Sequence, residues 1–241
     1  MMGMDAIFLL KINFAVYFVV FVACLRKNFH FNIILVGLTY FAPLVPWGMT
    51  DANIERFLIV SYCNLIFGII EMVFFALTER PEDIIFDKAY MQQLIGHVLP
   101  IIIALVGLSF VARATEVPVT LGEGVLIATL FLLGSLLRIV AIAQLGLLRF
   151  KFNIAFREKQ TLKTDGLHGA MRHPTYTAMM VVIAAYAITA HSWLIGSLGL
   201  LSALFGFQYR IHYEEQALKE QFGKAYQNYR AKTPMWLPFK I

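Results

Sequence analysis

The stretch RHPTYTAMMVVIAAYAITAHSWLIGSLGLLSALFGFQYRIHYEE, residues 172–215, decides the fold. It opens on Arg172, His173 and Pro174, runs through two apolar segments at about 174–190 and 193–209, and closes on the adjacent carboxylates Glu214 and Glu215. Two such runs, separated by little more than His191 and Ser192, predict a tight helical hairpin. At a rise of ~1.5 Å per residue each run is close to the length that crosses a hydrocarbon layer. A hairpin returns the chain to the face it left, so the Arg-His-Pro cluster and the glutamate pair are expected to meet at one membrane surface.

Outward from this hairpin the chain keeps the same character. Of its 241 residues 59% are hydrophobic and only 15% charged, and the mean hydropathy is +0.71, far more apolar than a soluble domain of this length. Further apolar runs occur at about 6–25, 31–47, 56–77, 94–112 and 124–148. With the hairpin they predict an all-α, polytopic bundle of about seven spans, or six if the second run, marginal in length and holding Pro43 and Pro46, sits shallow. The first run, Ala6 to Leu25, is longer than a signal-peptide core and lacks a basic leader, so it reads as retained. The segment TERPEDIIFDKAYMQQL, 78–94, interleaves charges with Ile84, Ile85, Phe86 and Tyr90 and reads as an amphipathic interfacial helix. Cys24 and Cys63 both fall in apolar runs, and neither a disulfide framework nor a zinc site is suggested.

A net charge of +5 invites a nucleic-acid reading, but the placement of the charges argues against it. With the N-terminus outside, sixteen of the twenty Lys and Arg residues lie in inside segments, chiefly 149–172 and the chain after 210. That asymmetry is the positive-inside pattern of a membrane protein. After about Ile211 the hydropathy drops and a helical tail follows, with Leu218, Phe222 and Tyr226 four apart and Gly223 interrupting. Pro234 and Pro238 stop the helix, and Trp236 and Phe239 suit an interfacial anchor.

The order T-x-G at Thr164–Gly166, R-H-P-x-Y at Arg172–Tyr176, R-x-x-x-E-E at Arg210–Glu215, L-x-x-x-F-G at Leu218–Gly223 and Y-x-x-Y at Tyr226 and Tyr229 resembles the isoprenylcysteine carboxyl methyltransferase family, within a wider group of membrane phospholipid methyltransferases. R-H-P-x-Y alone is a weak signal; joined to the glutamate pair and F-G-x-x-Y at these separations it is a strong one. The resemblance covers roughly 136–241, starting near Gln144-Leu145-Gly146, and divides the chain into a methyltransferase core at 136–241 and N-terminal membrane helices at 1–135 of unassigned role. It implies a membrane enzyme that binds S-adenosylmethionine in a cytoplasm-facing pocket made by the last hairpin and the tail. By position the cofactor-binding residues are Gly166, Leu167, Arg172, His173, Pro174, Tyr176, Glu214 and Glu215. Arg210 is then expected to orient a substrate carboxylate, with Glu214 as its cofactor-side partner in catalysis.

The residue chemistry agrees with that implication. The cofactor presents an adenine face, ribose hydroxyls, an amino-acid end and a sulfonium, and asks for aromatic surface, hydrogen-bond partners and carboxylates. Pro174 suits the first turn of a helix, where N–H groups can hold a carboxylate. Arg210 and Glu214, four apart, share one helix face. An ionised carboxylate acceptor needs no general base, whereas an amine would call on Glu214 or His173. The substrate's apolar part would enter sideways from the lipid, and the soluble cofactor from the cytoplasm.

This chain departs from the family's common pattern in carrying His168 where Tyr is frequent, Leu167 where Pro or Ile follows the Gly, and Ala178 where Gly is frequent. Carboxyl O-methylation of a prenylcysteine-like substrate is the leading expectation. Phospholipid amine N-methylation and thiol S-methylation are the nearest rivals, and a non-catalytic or transport-type membrane protein or a sterol reductase the readings from other classes. Blander roles are open for each residue: Arg172 and His173 as a snorkelling helix end, Arg210 as a positive-inside anchor, Glu214 and Glu215 as the start of a solvated helix, Gly166 as a turn. Lys11, Glu71, His97 and Arg138 stand in apolar runs, where an ionisable group is costly unless paired or lining water. Phe21, Phe74, Phe75 and Phe131 are expected to face lipid. The modest length suggests a prokaryotic plasma membrane, with the endoplasmic reticulum expected for a eukaryotic chain.

Overall fold

The computed structural model describes residues 2–79, 84–146 and 161–237. Every regular element among them is helical: α1 (Met2–Lys27), α2 (Phe31–Phe41), α3 (Ile54–Thr78), α4 (Lys88–Gln93), α5 (Leu99–Ala114), α6 (Leu121–Leu145), α7 (Leu167–Ala170), α8 (Pro174–Thr189) and α9 (Trp193–Lys232). Five helical segments are long and apolar enough to cross a bilayer, namely 5–27, 54–78, 88–114, 121–145 and 193–232. Two more apolar helices, Phe31–Leu44 and Pro174–Thr189, are shorter. Each of the seven apolar runs is thus largely helical among the described residues, and the chain is a multi-pass membrane protein. Residues 149–160 of the basic segment 149–172, Arg80, and the C-terminal Pro238 and Phe239 lie outside the described residues.

Local chemistry sets the boundaries. The imidazole of His30 accepts from the backbone N–H of Ile33 to cap α2, and Pro43 turns its end into a 3-10 turn, Ala42–Leu44. Thr120 caps α6 through the N–H of Glu123, and Ser192 caps α9 through the N–H of Ile195. The stretch expected as an interfacial helix differs: residues 84–86 belong to no regular element, Asp87 caps a short α4, and a π-turn at Leu94–Val98 joins α4 to α5 without a break. The physical reason is Pro100, which has no N–H for the Gly96 carbonyl and crowds it, so the preceding turn widens.

Helix α8 is buried around nearly its whole girth, as a helix apolar on every side should be. It packs chiefly on α6 and α9, while α1 packs on α3, and α9 also on α5. Small residues allow the close approach: a side chain at Gly134 of α6 would run into Val182 of α8. The outward faces of α1, α6 and α9 expose Phe8, Val19, Leu132, Leu136, Leu201 and Phe205, the surface a lipid-embedded bundle presents. Phe21, Phe75 and Phe131, by contrast, are buried, correcting the lipid-facing expectation, because each lies on the core side of its helix. Gly223 kinks α9 at φ 50°, where the sequence placed an interruption.

Candidate active site

The α8–α9 hairpin and the chain end that returns beneath it build the site. His173 caps the start of α8, with its carbonyl accepting from the N–H groups of Tyr176 and Thr177. Arg172 and His173 donate their own N–H groups to the carbonyls of Pro234 and Met235 (2.8 and 3.1 Å), and the Thr177 hydroxyl donates to the Trp236 carbonyl (2.7 Å). The expected interfacial anchor Trp236 is therefore turned inward, its ring edge-on to Phe207.

Two ionic layers follow. In the outer one the Arg172 guanidinium donates to Glu215 Oε1 (2.9 Å) and to the carbonyls of Thr233 and Arg230 (2.6 and 3.2 Å). In the inner one Arg210 Nε donates to Glu214 Oε1 (2.7 Å), which also accepts from the Tyr176 hydroxyl (2.6 Å). His173 joins the layers, with Nε2 3.2 Å from Glu215 Oε1 and Nδ1 3.8 Å from Glu214 Oε2. Arg210 also reaches across to α4, its Nη1 3.4 Å from Gln93 Oε1.

The inner layer borders a cavity of about 260 Å³. At the tail end it is lined by Lys163, His168, Leu218, Phe222 and Tyr229; in the middle by Arg172, His173, Tyr176, Arg210 and Glu214; and at depth by Leu35, Tyr40, Phe75, Ile101, Leu105 and Met179. One continuous space therefore runs from the polar tail into the apolar bundle. Its deep wall also holds Glu71 and Arg138, which pair through two hydrogen bonds of 2.8 and 2.9 Å. That pairing satisfies both buried charges, and Arg138 Nη1 lies 3.5 Å from the Thr175 carbonyl in the first turn of α8.

Beside this wall Gly166 takes φ +59°, a left-handed turn that favours glycine. A side chain there would strike Gln144, whose Oε1 accepts from the Leu167 N–H (2.7 Å). The turn presents His168, whose buried Nδ1 has no partner among the described residues. Burial, with His173 and Lys163 adding to it, pulls the His168 pKa down to about 4, so the ring is neutral near pH 7.

Of the residues named from sequence, Arg172, His173, Tyr176, Arg210 and Glu214 line the cavity. Gly166, Leu167, Pro174 and Glu215 stand behind its wall: Pro174 starts α8, Gly166 and Leu167 shape the turn, and Glu215 tethers Arg172 and His173. Sequence reasoning missed Gln93, Gln144, His168 and Tyr229 as site residues and left His97 unassigned. His168 stood out only as a departure from the family pattern, and Tyr229 only as part of Y-x-x-Y.

The donor set suits S-adenosylmethionine: carboxylates, aromatic faces, an orphaned buried imidazole nitrogen, and a turn where backbone can approach a ligand. Residues 126–220 match the model of the isoprenylcysteine carboxyl methyltransferase family. Protein-S-isoprenylcysteine O-methyltransferase B of Arabidopsis thaliana is 32% identical over 124 residues, covering 46% of this chain and 57% of that protein. A probable protein-S-isoprenylcysteine O-methyltransferase of Oryza sativa subsp. indica is 27% identical over 113 residues, covering 45% and 57%. The chain thus matches little more than half the length of these curated relatives. A solved structure of a eukaryotic intramembrane Ras methyltransferase, isoprenylcysteine carboxyl methyltransferase, superposes with a TM-score of 0.59 over 97% of both chains at 19% identity, so the N-terminal helices share that fold as well. With plant relatives and a eukaryotic fold match, the expectation of a prokaryotic membrane is not borne out. Residues 126–220 are thus similar to the isoprenylcysteine carboxyl methyltransferase family, and the fold of the whole described chain is similar to that of a solved member.

Proposed function

We propose that this protein is an integral-membrane, S-adenosylmethionine-dependent carboxyl O-methyltransferase acting on a prenylcysteine-like lipid. The observation that carries the reading is the single cavity that joins the tail-side polar network to the apolar interior, with Arg210 and Glu214 at the junction. A water-soluble methyl donor and a lipophilic acceptor need that arrangement. Such an acceptor would enter from the lipid, and the donor from the face that collects the basic residues. The active site accordingly faces the cytoplasm, and the endoplasmic reticulum is the host membrane.

S-adenosylmethionine supplies, when bound, a methyl group on a positively charged sulfur. Tyr176, His173, Glu214 and His168 would hold it, with Arg172 and Glu215 fixing the segment that carries His173. Arg210 holds the acceptor carboxylate at the end of the apolar cavity. Its Nε bond to Glu214 sets the spacing between the acceptor side and the donor side, the alignment on which in-line transfer depends. The carboxylate attacks already ionised, so no residue removes a proton. Leu218 and Phe222 cover the polar end and keep water from it.

The test is methyl transfer from labelled S-adenosylmethionine to N-acetyl-S-farnesylcysteine by detergent-purified protein. Base-labile ester is expected, with kcat/KM falling roughly 100-fold in Arg210→Lys, the order of loss on removing a positioned donor, at unchanged cofactor-product affinity. Label transferred instead to an amine or thiol lipid, with none to the carboxylate, would replace this reading with the corresponding N- or S-methylation.

A further inference from the structure

His97 stands apart from the motifs, yet it lines the cavity at the level where polar and apolar walls meet. It lies on the π-turn Leu94–Val98, an irregularity that helices seldom carry without a local purpose. The turn is pressed against α9: a side chain at Gly206 would come within 2.7 Å of the His97 carbonyl, and one at Gly96 would strike the Tyr209 ring. Only small residues permit this approach. Two contacts spaced one turn apart on both helices result, His97 Nδ1 to the Gly206 carbonyl at 2.9 Å and Gln93 Oε1 to Arg210 Nη1 at 3.4 Å.

The first contact fixes the imidazole's chemistry. A carbonyl can only accept, so Nδ1 carries the hydrogen, and in the neutral ring Nε2 is a bare acceptor. No hydrogen bond within the described residues engages Nε2. Tyr176 meets the ring edge-on at a centroid distance of 6.1 Å and Phe207 at a tilt at 6.0 Å, which holds its plane. A neutral acceptor is thereby fixed in the cavity wall, one turn of α9 before Arg210.

We infer that His97 Nε2 accepts a hydrogen bond from an N–H group borne one carbon away from the carboxylate that Arg210 holds, and so selects an acyl-amino acid acceptor over a simple lipid carboxylate. This rests on the carboxyl-methylation reading above. The logic is that of any buried donor: an amide N–H brought into this junction loses its water and needs a partner. The carboxylates lining the cavity are engaged with Arg138, Arg210 and Tyr176, and the cationic side chains there can only donate. The other imidazole of the wall, His168, stands at the tail end, and at the junction His97 supplies the acceptor. It is a specificity-determining residue, and the transfer step itself does not require it.

The test compares two acceptors that differ in that group alone, N-acetyl-S-farnesylcysteine and 3-(farnesylthio)propanoate, with wild type, His97→Asn and His97→Gln. Asn can keep the donor toward Gly206 while deleting the acceptor; Gln can place an oxygen near the Nε2 position. Wild type should prefer the amide-bearing acceptor in kcat/KM by roughly tenfold, the upper range of one hydrogen bond. His97→Asn should lose that preference through a raised KM for the amide acceptor, with S-adenosylhomocysteine affinity unchanged, and His97→Gln should regain most of it. Equal losses on both acceptors, or an undiminished preference in His97→Asn, would overturn the inference while leaving the methyltransferase reading intact. Transfer to neither acceptor by wild type that binds S-adenosylhomocysteine would overturn the carboxylate reading and this one together.

Discussion

The α8–α9 hairpin carries an Arg–Glu–His cluster at each end, and the two are built for different work. At the turn end Arg56 is fully buried and gives its N–H groups to Glu123 (2.7 and 2.9 Å), to the carbonyls of Val117, Pro118 and Thr189, and toward His191 Nδ1 (3.2 Å). Its hydrogen-bonding capacity is used up within the protein, and it does not line the junction cavity. At the other end Arg210, Glu214 and His173 use the same residue types but border open space, next to an imidazole nitrogen left without a partner at His168. Residue chemistry is shared; what separates a structural pin from a site is whether the polar capacity closes on itself or is left facing a space that a ligand fits.

The sharpest way to break this contrast is Arg56→Met. It strips Glu123 of its guanidinium partner and leaves several carbonyls unpaired, and should cost about 3–5 kcal/mol of stability, read as a large drop in folded yield and melting temperature in detergent. A well-folded Arg56→Met with altered turnover would reverse the roles assigned to the two ends. A smaller effect is expected at the site end, where Tyr176→Phe removes one hydrogen bond to Glu214. S-adenosylhomocysteine affinity should weaken about threefold to tenfold while the melting temperature stays close to that of wild type.

The smallest effect concerns acid. An unfolded His168 takes up a proton below its ordinary value of 6.5, whereas the folded chain refuses it until about 4. Stability attributable to this residue is therefore present above pH 6.5 and declines as pH falls toward 4, by at most about 1.4 kcal/mol per unit. His168→Tyr should make the decline in melting temperature across that window shallower; an unchanged slope would remove His168 from the account.

Much of this contrast could be read in the sequence. Two short apolar runs around His191-Ser192 dictated a hairpin, and a hairpin dictated that Arg172 and His173 meet Glu214 and Glu215. The structure then separated the two glutamates, Glu214 into the cavity and Glu215 into the tether, a division that adjacent identical residues do not reveal. Glu71 and Arg138 were visible as costly charges, but their pairing spans 67 residues and depends on how α3 and α6 pack. His97 was visible only as a costly ionisable group and Gln93 not at all, because a π-turn shifts the helical phase on which face assignment rests. Phe75 and Phe131 were misread because lipid and protein core are equally apolar, so composition alone cannot tell the two sides of a membrane helix apart.

The central claim is that the junction cavity is the cofactor pocket. Calorimetric titration of the detergent-purified protein with S-adenosylhomocysteine, wild type beside Glu214→Ala, addresses it most directly. Saturable binding to wild type, lost or severely weakened in a variant of unchanged melting temperature, is the predicted result. Equal affinity in both proteins, or no binding by folded wild type, would contradict it.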